Sequence, residues 1–165
     1  MSEATNPTPD AAVDTRIDLG PIIQVGIVVR DAQAACDAWT SRFKLDPPHI
    51  VDWPMTGQNL EGLAMYYHGR PANFKMRLAF LQAGPVQIEF LQPLEGDNIY
   101  SDFLNEHGEG LHHLLFETTD PAAVIAGIGV PVLQSGASTL RPGATWSYLD
   151  TQEMLKAIIE LRTKL

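Results

Sequence analysis

The spacing of apolar and polar positions divides the chain into two similar series of predicted elements. In the first series, the apolar run at 22–29 predicts a strand, and Asp31 is placed to cap a helix whose apolar residues recur at helical spacing until about Lys44. Further strands of this series are predicted at 50–53, 76–81 and 86–91, with a long insert at 54–74. A short helix at 99–106, ending at Gly108, follows the series.

The second series repeats this order. A strand predicted at 111–118 is followed by Asp120 and Pro121, a pair typical of a helix N-terminus, and then by a helix at 122–128. Three more strands are predicted at 130–133, 145–149 and 156–162.

The two series are in register with each other, which indicates an internal repeat. Asp31 and Asp120 are 89 positions apart, and Gln24 and His113 have the same separation. At the far ends, Glu89 and Glu160 are 71 positions apart, so the second series is shorter, and the insert at 54–74 accounts for the difference. We therefore predict one domain at 19–165, built from modules at 20–95 and 110–163. Residues 1–18 lack an apolar period and are predicted to be a disordered tail.

Composition narrows the class of protein. Hydrophobic residues make up 45% of the 165 residues and charged residues 19%, which is typical of a globular domain. The formal net charge of -9 argues against a nucleic-acid partner, because a phosphate backbone would be repelled. The lone Cys36 cannot form an internal disulfide, and the N-terminus lacks the basic and apolar regions of a signal peptide. No apolar run is long enough to span a bilayer, so we predict a cytoplasmic protein without a membrane partner.

Four polar residues interrupt apolar strands at repeat-related positions. Strand alternation sends each of these side chains to the face opposite its apolar neighbours. Singly, each could be a solvent-facing strand residue, but two carboxylates enclosed on one concave face would need a compensating charge. A divalent cation is the simplest such charge, and the mixed oxygen and nitrogen donors leave Mg, Mn, Fe, Co, Ni and Zn open. The predicted metal ligands are Gln24, Glu89, His113 and Glu160.

The runs at 24–31, 87–94, 108–116 and 158–161 resemble the vicinal-oxygen-chelate superfamily, which includes glyoxalase I, bleomycin-resistance proteins and extradiol dioxygenases. The resemblance covers about residues 20–163. It is closest to the methylmalonyl-CoA epimerase branch, through the Glu-Gly-Leu-His-His run at 109–113 and the Glu-Phe-Leu-Gln-Pro-Leu run at 89–94.

This resemblance implies an α+β fold of two βαβββ modules, whose curled mixed sheet forms a half-barrel cleft. It also implies one metal ligand from the first and last strand of each module, and these positions fall on Gln24, Glu89, His113 and Glu160. The family usually places His at the position of Gln24, and a Gln carbonyl is a weaker donor to zinc or nickel.

The resemblance implies chemistry in which a metal stabilises an enolate while a carboxylate moves a proton. Glu160 is the first candidate for the general base, and Glu89 is the other catalytic carboxylate. The position at which an epimerase would carry a second proton-transfer group falls near Leu78, which weakens methylmalonyl-CoA as the substrate.

Other polar and aromatic residues are assigned to the cleft or to the surrounding structure. We expect the insert, through Tyr66 and Tyr67, to cover the cleft and contact a bulky substrate, and Arg141 to hold a substrate carboxylate or phosphate. His112 is predicted to face away from His113 as a structural histidine, and Glu117 to lie at a solvated strand end.

Two functions from different classes follow. The leading hypothesis is a metal-dependent lyase or isomerase that acts on a small carbonyl or acyl-CoA substrate through an enolate. The alternative is a metal-free small-molecule binding protein of the bleomycin-resistance type, and metal analysis separates the two. By analogy with the family, the chain could also form a homodimer.

Overall fold

The computed structural model describes residues 16–55 and 63–165, which form ten strands and four helices. The first series consists of β1 (Gln24–Val28), α1 (Ala32–Thr40), β2 (His49–Trp53), β3 (Met65–Tyr67), β4 (Arg70–Pro71), β5 (Lys75–Ala83) and β6 (Val86–Glu95). Next come α2 (Ile99–His107), β7 (Gly110–Thr118), α3 (Pro121–Ile128), β8 (Val132–Ala137), β9 (Thr145–Leu149), α4 (Gln152–Leu155) and β10 (Ile158–Thr163). Residues 1–15 of the tail predicted at 1–18, and insert residues 56–62, lie outside the described residues.

The two predicted helix caps are confirmed. A carboxylate oxygen of Asp31 accepts a hydrogen bond from the backbone N–H of Ala34 at 3.0 Å, and Asp120 accepts one from Ala123 at 2.9 Å. Each bond satisfies a backbone N–H that has no partner within its helix. These caps start α1 and α3 at equivalent places in the two modules.

A single mixed sheet holds all ten strands in the order β2-β5-β6-β1-β7-β10-β9-β8-β3-β4. At its centre β1 and β7 pair antiparallel, and each pairs in parallel with the last strand of its own module, β6 or β10. An approximate twofold axis therefore relates the modules, with β1, β2, β5 and β6 equivalent to β7, β8, β9 and β10. The predicted α+β fold of two βαβββ modules is confirmed.

The sheet is strongly curled. Trp53, on β2, donates a side-chain hydrogen bond through Nε1 to Oγ1 of Thr139, which follows β8, at 2.7 Å. In a flat sheet these two strands, seven places apart, would be separated by roughly 30 Å or more. The contact therefore requires the sheet to close into a half-barrel with a concave inner face.

Tyr66 and Tyr67 lie in a part of the insert that extends the sheet. Met65–Tyr67 pairs antiparallel with β8, and Arg70–Pro71 pairs with β3 in turn. The physical reason is the edge of β8, whose free backbone N–H and C=O groups gain partners from an added strand. Tyr66 and Tyr67 consequently lie near one end of the sheet.

Helices α1 and α3 cover the convex face, and this burial sets the direction of the polar residues. Ile88 and Phe90 pack in the cluster under α1, while Ile159 and Leu161 pack in the cluster under α3. Residues between them on each strand must therefore point to the concave face. Across the described ranges, we find no helix with the length and apolar character needed to cross a bilayer.

Candidate metal centre

The register of the central strands brings the predicted ligands into two adjacent rows. Gly26 on β1 is paired with Glu89 on one side and with His113 on the other. In the next row, Gln24 is paired with Leu115, which is paired in turn with Glu160. The four strands that carry the predicted ligands therefore lie side by side around the twofold axis, in the order β6, β1, β7 and β10.

Three of the four predicted ligands meet closely. Glu89, His113 and Glu160 each offer one ligand atom, and these atoms all lie within 4.8 Å of one another. Nε2 of His113 is 3.0 Å from Oε2 of Glu160 and 3.7 Å from Oε2 of Glu89. All three residues are buried.

Gln24 lies beside this group. It is 4% exposed and lines the same cavity as Glu89 and Glu160. Its Nε2 donates a hydrogen bond to Oε1 of Gln87 at 2.7 Å, which orients the amide. The side-chain carbonyl oxygen of Gln24 is the atom of this amide that can ligate a hard cation.

A glycine makes room for the histidine. A β-carbon added at Gly26 would lie 1.9 Å from Cε1 of His113 and 2.3 Å from its Nδ1 and Nε2. The imidazole therefore rests directly on the backbone of the neighbouring strand. Any larger residue at position 26 would displace it.

The donor set fits a divalent cation. Nε2 of His113 and Oε2 of Glu160 are buried and 3.0 Å apart, yet neither has a hydrogen-bond partner among the described residues. Such orphaned buried atoms are costly unless another group satisfies them. Neighbouring ligands of a six-coordinate Mg²⁺-sized ion lie about 3 Å apart, since its bonds are about 2.1 Å long. Two carboxylates with a neutral imidazole would also balance a charge of +2.

Electrostatics around the three residues show how their charges balance when no metal is bound. Burial raises the pKa of the Glu89 carboxyl, with Glu160 adding to the effect and His113 opposing it. Burial alone would lower the pKa of His113, but contacts with Glu160 and Glu89 outweigh it and raise the pKa to about 9. In the metal-free protein the imidazolium therefore supplies the positive charge that the two carboxylates need.

His112 does not face away from His113, and this prediction was wrong. A β-bulge shifts the register so that Gly26 pairs with His113 but Ile27 with Leu111, which leaves His112 unpaired. Nδ1 of His112 lies 3.0 Å from Nδ1 of His113, within hydrogen-bond distance. A hydrogen bond between these atoms directs Nε2 of His113 towards the carboxylates. Burial, followed by the charge of His113, holds the pKa of His112 well below its usual value.

Two buried phenols that sequence analysis missed complete the inner wall. Tyr148 on β9 has its ring 5.0 Å from that of His113, and Tyr100 on α2 packs edge-on against Tyr148 at 5.6 Å. Burial, reinforced by the charge of Glu160, raises the pKa of both tyrosines well above 10. Both hydroxyls therefore keep their protons and can donate hydrogen bonds.

The site opens into a cavity of about 400 Å³. Leu78 lines it, as does Arg141. The cavity lining does not include Tyr66 and Tyr67: the hydroxyl of Tyr67 donates to Asp102 at 2.6 Å, and Tyr66 is 42% exposed. Apolar and aromatic side chains supply much of the remaining wall, among them Trp53, Phe74, Met76, Phe80, Leu91 and Trp146.

Residues 23–144 match the family described as the glyoxalase/bleomycin resistance protein/dioxygenase superfamily. The chain belongs to this superfamily. The matched segment includes β1 to β8 and three of the four candidate ligands, and it ends before β10, which carries Glu160.

Solved structures of the superfamily share the fold. A variant of Streptomyces coelicolor methylmalonyl-CoA epimerase in complex with 2-nitronate-propionyl-CoA is 25% identical, with a TM-score of 0.63 over 89% of this chain and 96% of that chain. The methylmalonyl-CoA epimerase of Mycobacterium tuberculosis is 19% identical, with a TM-score of 0.60 over 87% of each chain, and this likeness shows the fold alone.

A curated relative is the uncharacterised protein YqjC of Bacillus subtilis, which is 39% identical over 59 residues. The match covers 36% of this chain and 42% of the length of YqjC.

Proposed function

We propose that this protein is a metal-dependent isomerase or lyase that stabilises an enolate of a carbonyl or acyl-CoA substrate. The observation that carries the proposal is the buried group of Glu89, His113 and Glu160, whose ligand atoms lie within 4.8 Å of one another beside a cavity that Glu89 and Glu160 line. Support also comes from the likeness to an epimerase structure that holds 2-nitronate-propionyl-CoA, at 25% identity.

In this proposal Glu89, Nε2 of His113 and Glu160 hold the cation, and the carbonyl oxygen of Gln24 completes the protein ligands. When bound, a divalent cation acts as a Lewis acid that stabilises negative charge on a substrate oxygen. His112 keeps the imidazole of His113 in the orientation that presents Nε2.

Glu160 is the proposed general base. Its carboxylate lines the cavity and lies beside His113, so it can reach both the cation and a proton on the adjacent substrate carbon. The hydroxyls of Tyr100 and Tyr148 can donate hydrogen bonds to substrate oxygens in the same space.

The substrate that we infer differs from methylmalonyl-CoA. Leu78 lines the cavity at the position where the family resemblance expects a second proton-transfer group. A leucine cannot carry a proton, so removal and return of the proton are assigned to the Glu160 side. This favours proton shifts and eliminations over epimerisation by two opposed carboxylates.

Metal content is the first test. We expect about one divalent cation per chain in the purified protein and its loss in the Glu160→Gln variant, measured by elemental mass spectrometry alongside circular dichroism. Glu106→Gln is a matched control, because the side chain of Glu106 is 75% exposed on α2. A wild-type protein that takes up no divalent cation, even after reconstitution, would contradict the proposal.

Chemistry is the second test. The wild-type protein should catalyse exchange of solvent deuterium into the carbon next to the carbonyl in one of a panel of acyl-CoA thioesters and 2-oxo acids, followed by mass spectrometry. The Glu106→Gln control should retain this exchange, and Glu160→Gln should lose it.

The raised pKa of His113 favours a second candidate function, a metal-free small-molecule binder. Imidazolium and two carboxylates already form a partly balanced group, and Trp53, Phe74 and Trp146 offer an aromatic wall for a flat ligand. A protein that is free of metal but retains a small molecule in native mass spectrometry would support this alternative.

A further inference from the structure

We infer that the cavity contains a second subsite, formed by Arg141 and Arg162, that binds a carboxylate group of the substrate. Both arginines line the same cavity as Glu89 and Glu160. The inference deepens the proposed function by naming its substrate class, and it rests on that function only for the place of the reacting carbon.

The two arginines reach the subsite from different elements. Arg162 follows Glu160 by two positions on β10, so both side chains leave the same face of the strand, with their Cα atoms about 6.6 Å apart. Arg141 lies in the connection between β8 and β9. A substrate that reacts beside Glu160 would therefore extend towards both guanidinium groups.

The cluster carries an excess of positive charge. Nη1 of Arg141 and Nε of Arg162 both donate to the same oxygen of Glu117, Oε1, the second at 3.1 Å. Two guanidinium groups and one carboxylate leave a net charge of +1, and each guanidinium has five N–H donors, only some of which these bonds use. Charge balance with a singly charged group favours a carboxylate over a phosphate, and Arg binds carboxylates in a bidentate geometry.

Glu117 is therefore not the solvated strand end that the sequence predicts. Its side chain is 20% exposed, against 21% for Arg162 and 40% for Arg141. Burial would raise the pKa of Glu117, but the two arginines outweigh burial and lower it. Glu117 thus stays ionised and holds the guanidinium groups in place.

The fold itself does not require charges at these positions. Through the register shared with Glu89 and Glu160, the twofold axis relates Leu91 to Arg162 and Val28 to Glu117. Leu91 and Val28 belong to a buried apolar cluster. The same backbone frame is therefore stable with apolar residues, which makes the charged cluster a local feature of one end of the cavity.

The distance between the two subsites defines the ligand. In such a substrate the reactive carbonyl lies beside Glu160 and the carboxylate lies between the arginines. About two to four carbon atoms must separate the carbonyl from the carboxylate, given the spacing of about 6.6 Å along the strand. The substrate class that fits is an acid with a separate reactive carbonyl, such as a 2-oxo dicarboxylate or a carboxyacyl thioester.

A pair of matched acids tests the subsite directly. 2-Oxoglutarate and 2-oxopentanoate share the 2-oxo acid group and chain length, and only the first has a distal carboxylate. We expect the wild-type protein to bind 2-oxoglutarate at least tenfold more tightly by isothermal titration calorimetry. The preference should disappear in Arg141→Met and in Arg162→Met, which keep the aliphatic stem. The control Arg77→Met should retain it, because Arg77 pairs with Asp52 and is not part of the cavity lining.

Glu117→Gln separates a binding role from a merely structural one. Removal of the competing carboxylate raises the charge of the cluster, so affinity for 2-oxoglutarate should increase severalfold while that for 2-oxopentanoate stays unchanged. If the arginines serve only to stabilise the fold through Glu117, this variant loses thermal stability and gains no affinity.

The same titrations on protein treated with a chelator keep this inference distinct from the proposed function. A preference for 2-oxoglutarate that survives in a protein without metal supports the arginine subsite by itself, whereas metal content and deuterium exchange test the metal-dependent reaction. Equal affinity for the two acids in the wild-type protein, or no detectable binding of either, overturns the subsite whatever the metal content.

Discussion

At positions related by the twofold axis, the first module carries Gln24, Phe80 and Leu91, and the second carries His113, Tyr148 and Arg162. The backbone frame is the same, because each residue keeps its register with Glu89 or Glu160. The side chains differ in kind: in each pair the second module has the group that can carry or donate a proton more effectively. The repeat thus fixes where side chains meet, and the individual residues decide what they can do there.

The central strands show why the two modules are not interchangeable. The residue beside His113 on the neighbouring strand is Gly26, whereas the residue beside Gln24 is Leu115, which is 1% exposed. Gly26 and Leu115 are related by the same twofold axis. Gly26 of the first module leaves space beside it, and the imidazole of His113 from the second module occupies that space.

A side chain added at Gly26 should have the largest effect on metal binding and activity. In Gly26→Ala the new methyl group would occupy the place of the His113 ring, so we expect loss of bound metal and at least a hundredfold loss of exchange activity. Forced repacking should also cost about 1–3 kcal/mol in the free energy of unfolding. Elemental analysis and urea denaturation measure the two effects.

Gly110→Ala is the matched control for this change. Gly110 begins β7 and has no atom within 4 Å of an added β-carbon. The Gly110→Ala variant should keep its metal. Equal metal loss in both variants would show that crowding of His113 is not the cause of the loss.

Tyr148→Phe makes the second module resemble the first, which has Phe80 at the equivalent position. The ring contact with His113 is retained and only the hydroxyl is lost. We expect unchanged metal content and a fall in kcat of about a hundredfold, the typical effect of removing one donor that stabilises developing negative charge. Unaltered kcat for deuterium exchange would exclude this hydroxyl from the reaction.

Sequence analysis predicted the parts of this site that depend on local patterns. The strands that carry Glu89 and Glu160 follow from alternation, and their convergence follows from the repeat. The side of His112 could not be predicted, because a bulge arises from the pairing of two strands and alternation along one strand does not reveal it. Tyr100 and Tyr148 were missed for a related reason: they come from α2 and β9, and only tertiary packing brings them to the histidine.

The insert illustrates a second limit. Its apolar residues are compatible both with a cover over the cleft and with an added strand, and composition does not distinguish these. Met65–Tyr67 pairs with the edge of β8, a partner in the second module that the composition of the insert does not reveal. Helix α4 was also missed, since a four-residue helix has too few residues to display a period.

His112→Phe tests whether metal binding by His113 depends on the neighbouring His112. Phenylalanine preserves the ring contacts with Tyr100 and Phe103 but cannot bond to Nδ1 of His113. Loss of such an outer partner typically weakens metal affinity by about 10- to 100-fold. Competition with a fluorescent chelator measures the change. His107→Phe, at the exposed end of α2, should leave affinity unaltered.

The last expected effect is a pH dependence of stability, to which the second module's imidazole makes a contribution that the amide of Gln24 cannot make. In the metal-free protein the pKa of His113 is raised from 6.5 to about 9, so the folded state holds this proton more tightly than the unfolded state. Its stabilising contribution is complete below pH 6.5 and is lost as pH rises to about 9. The raised pKa of Glu89 acts in the same direction.

Stability of the metal-free protein should therefore fall by up to ~1.4 kcal/mol per pH unit across this interval. A saturating divalent cation should weaken or reverse the slope, because metal binding requires His113 without its proton. Urea denaturation from pH 6.5 to 9, with and without chelator, gives both slopes. A free energy that rises with pH in the chelated protein is the opposite result and would rule out the charge arrangement described for His113.

The pairing of β3 with β8 has a mechanical consequence. Covalently, β3 belongs to the first half of the chain, but one of its two ladders is formed with β8 of the second half. The halves cannot separate without breaking this ladder, so we expect the described chain to lose its structure in one cooperative transition. The exchange of β3 thus ties the two duplicated modules together at the edge of the sheet, in addition to the pairing of β1 and β7 at its centre.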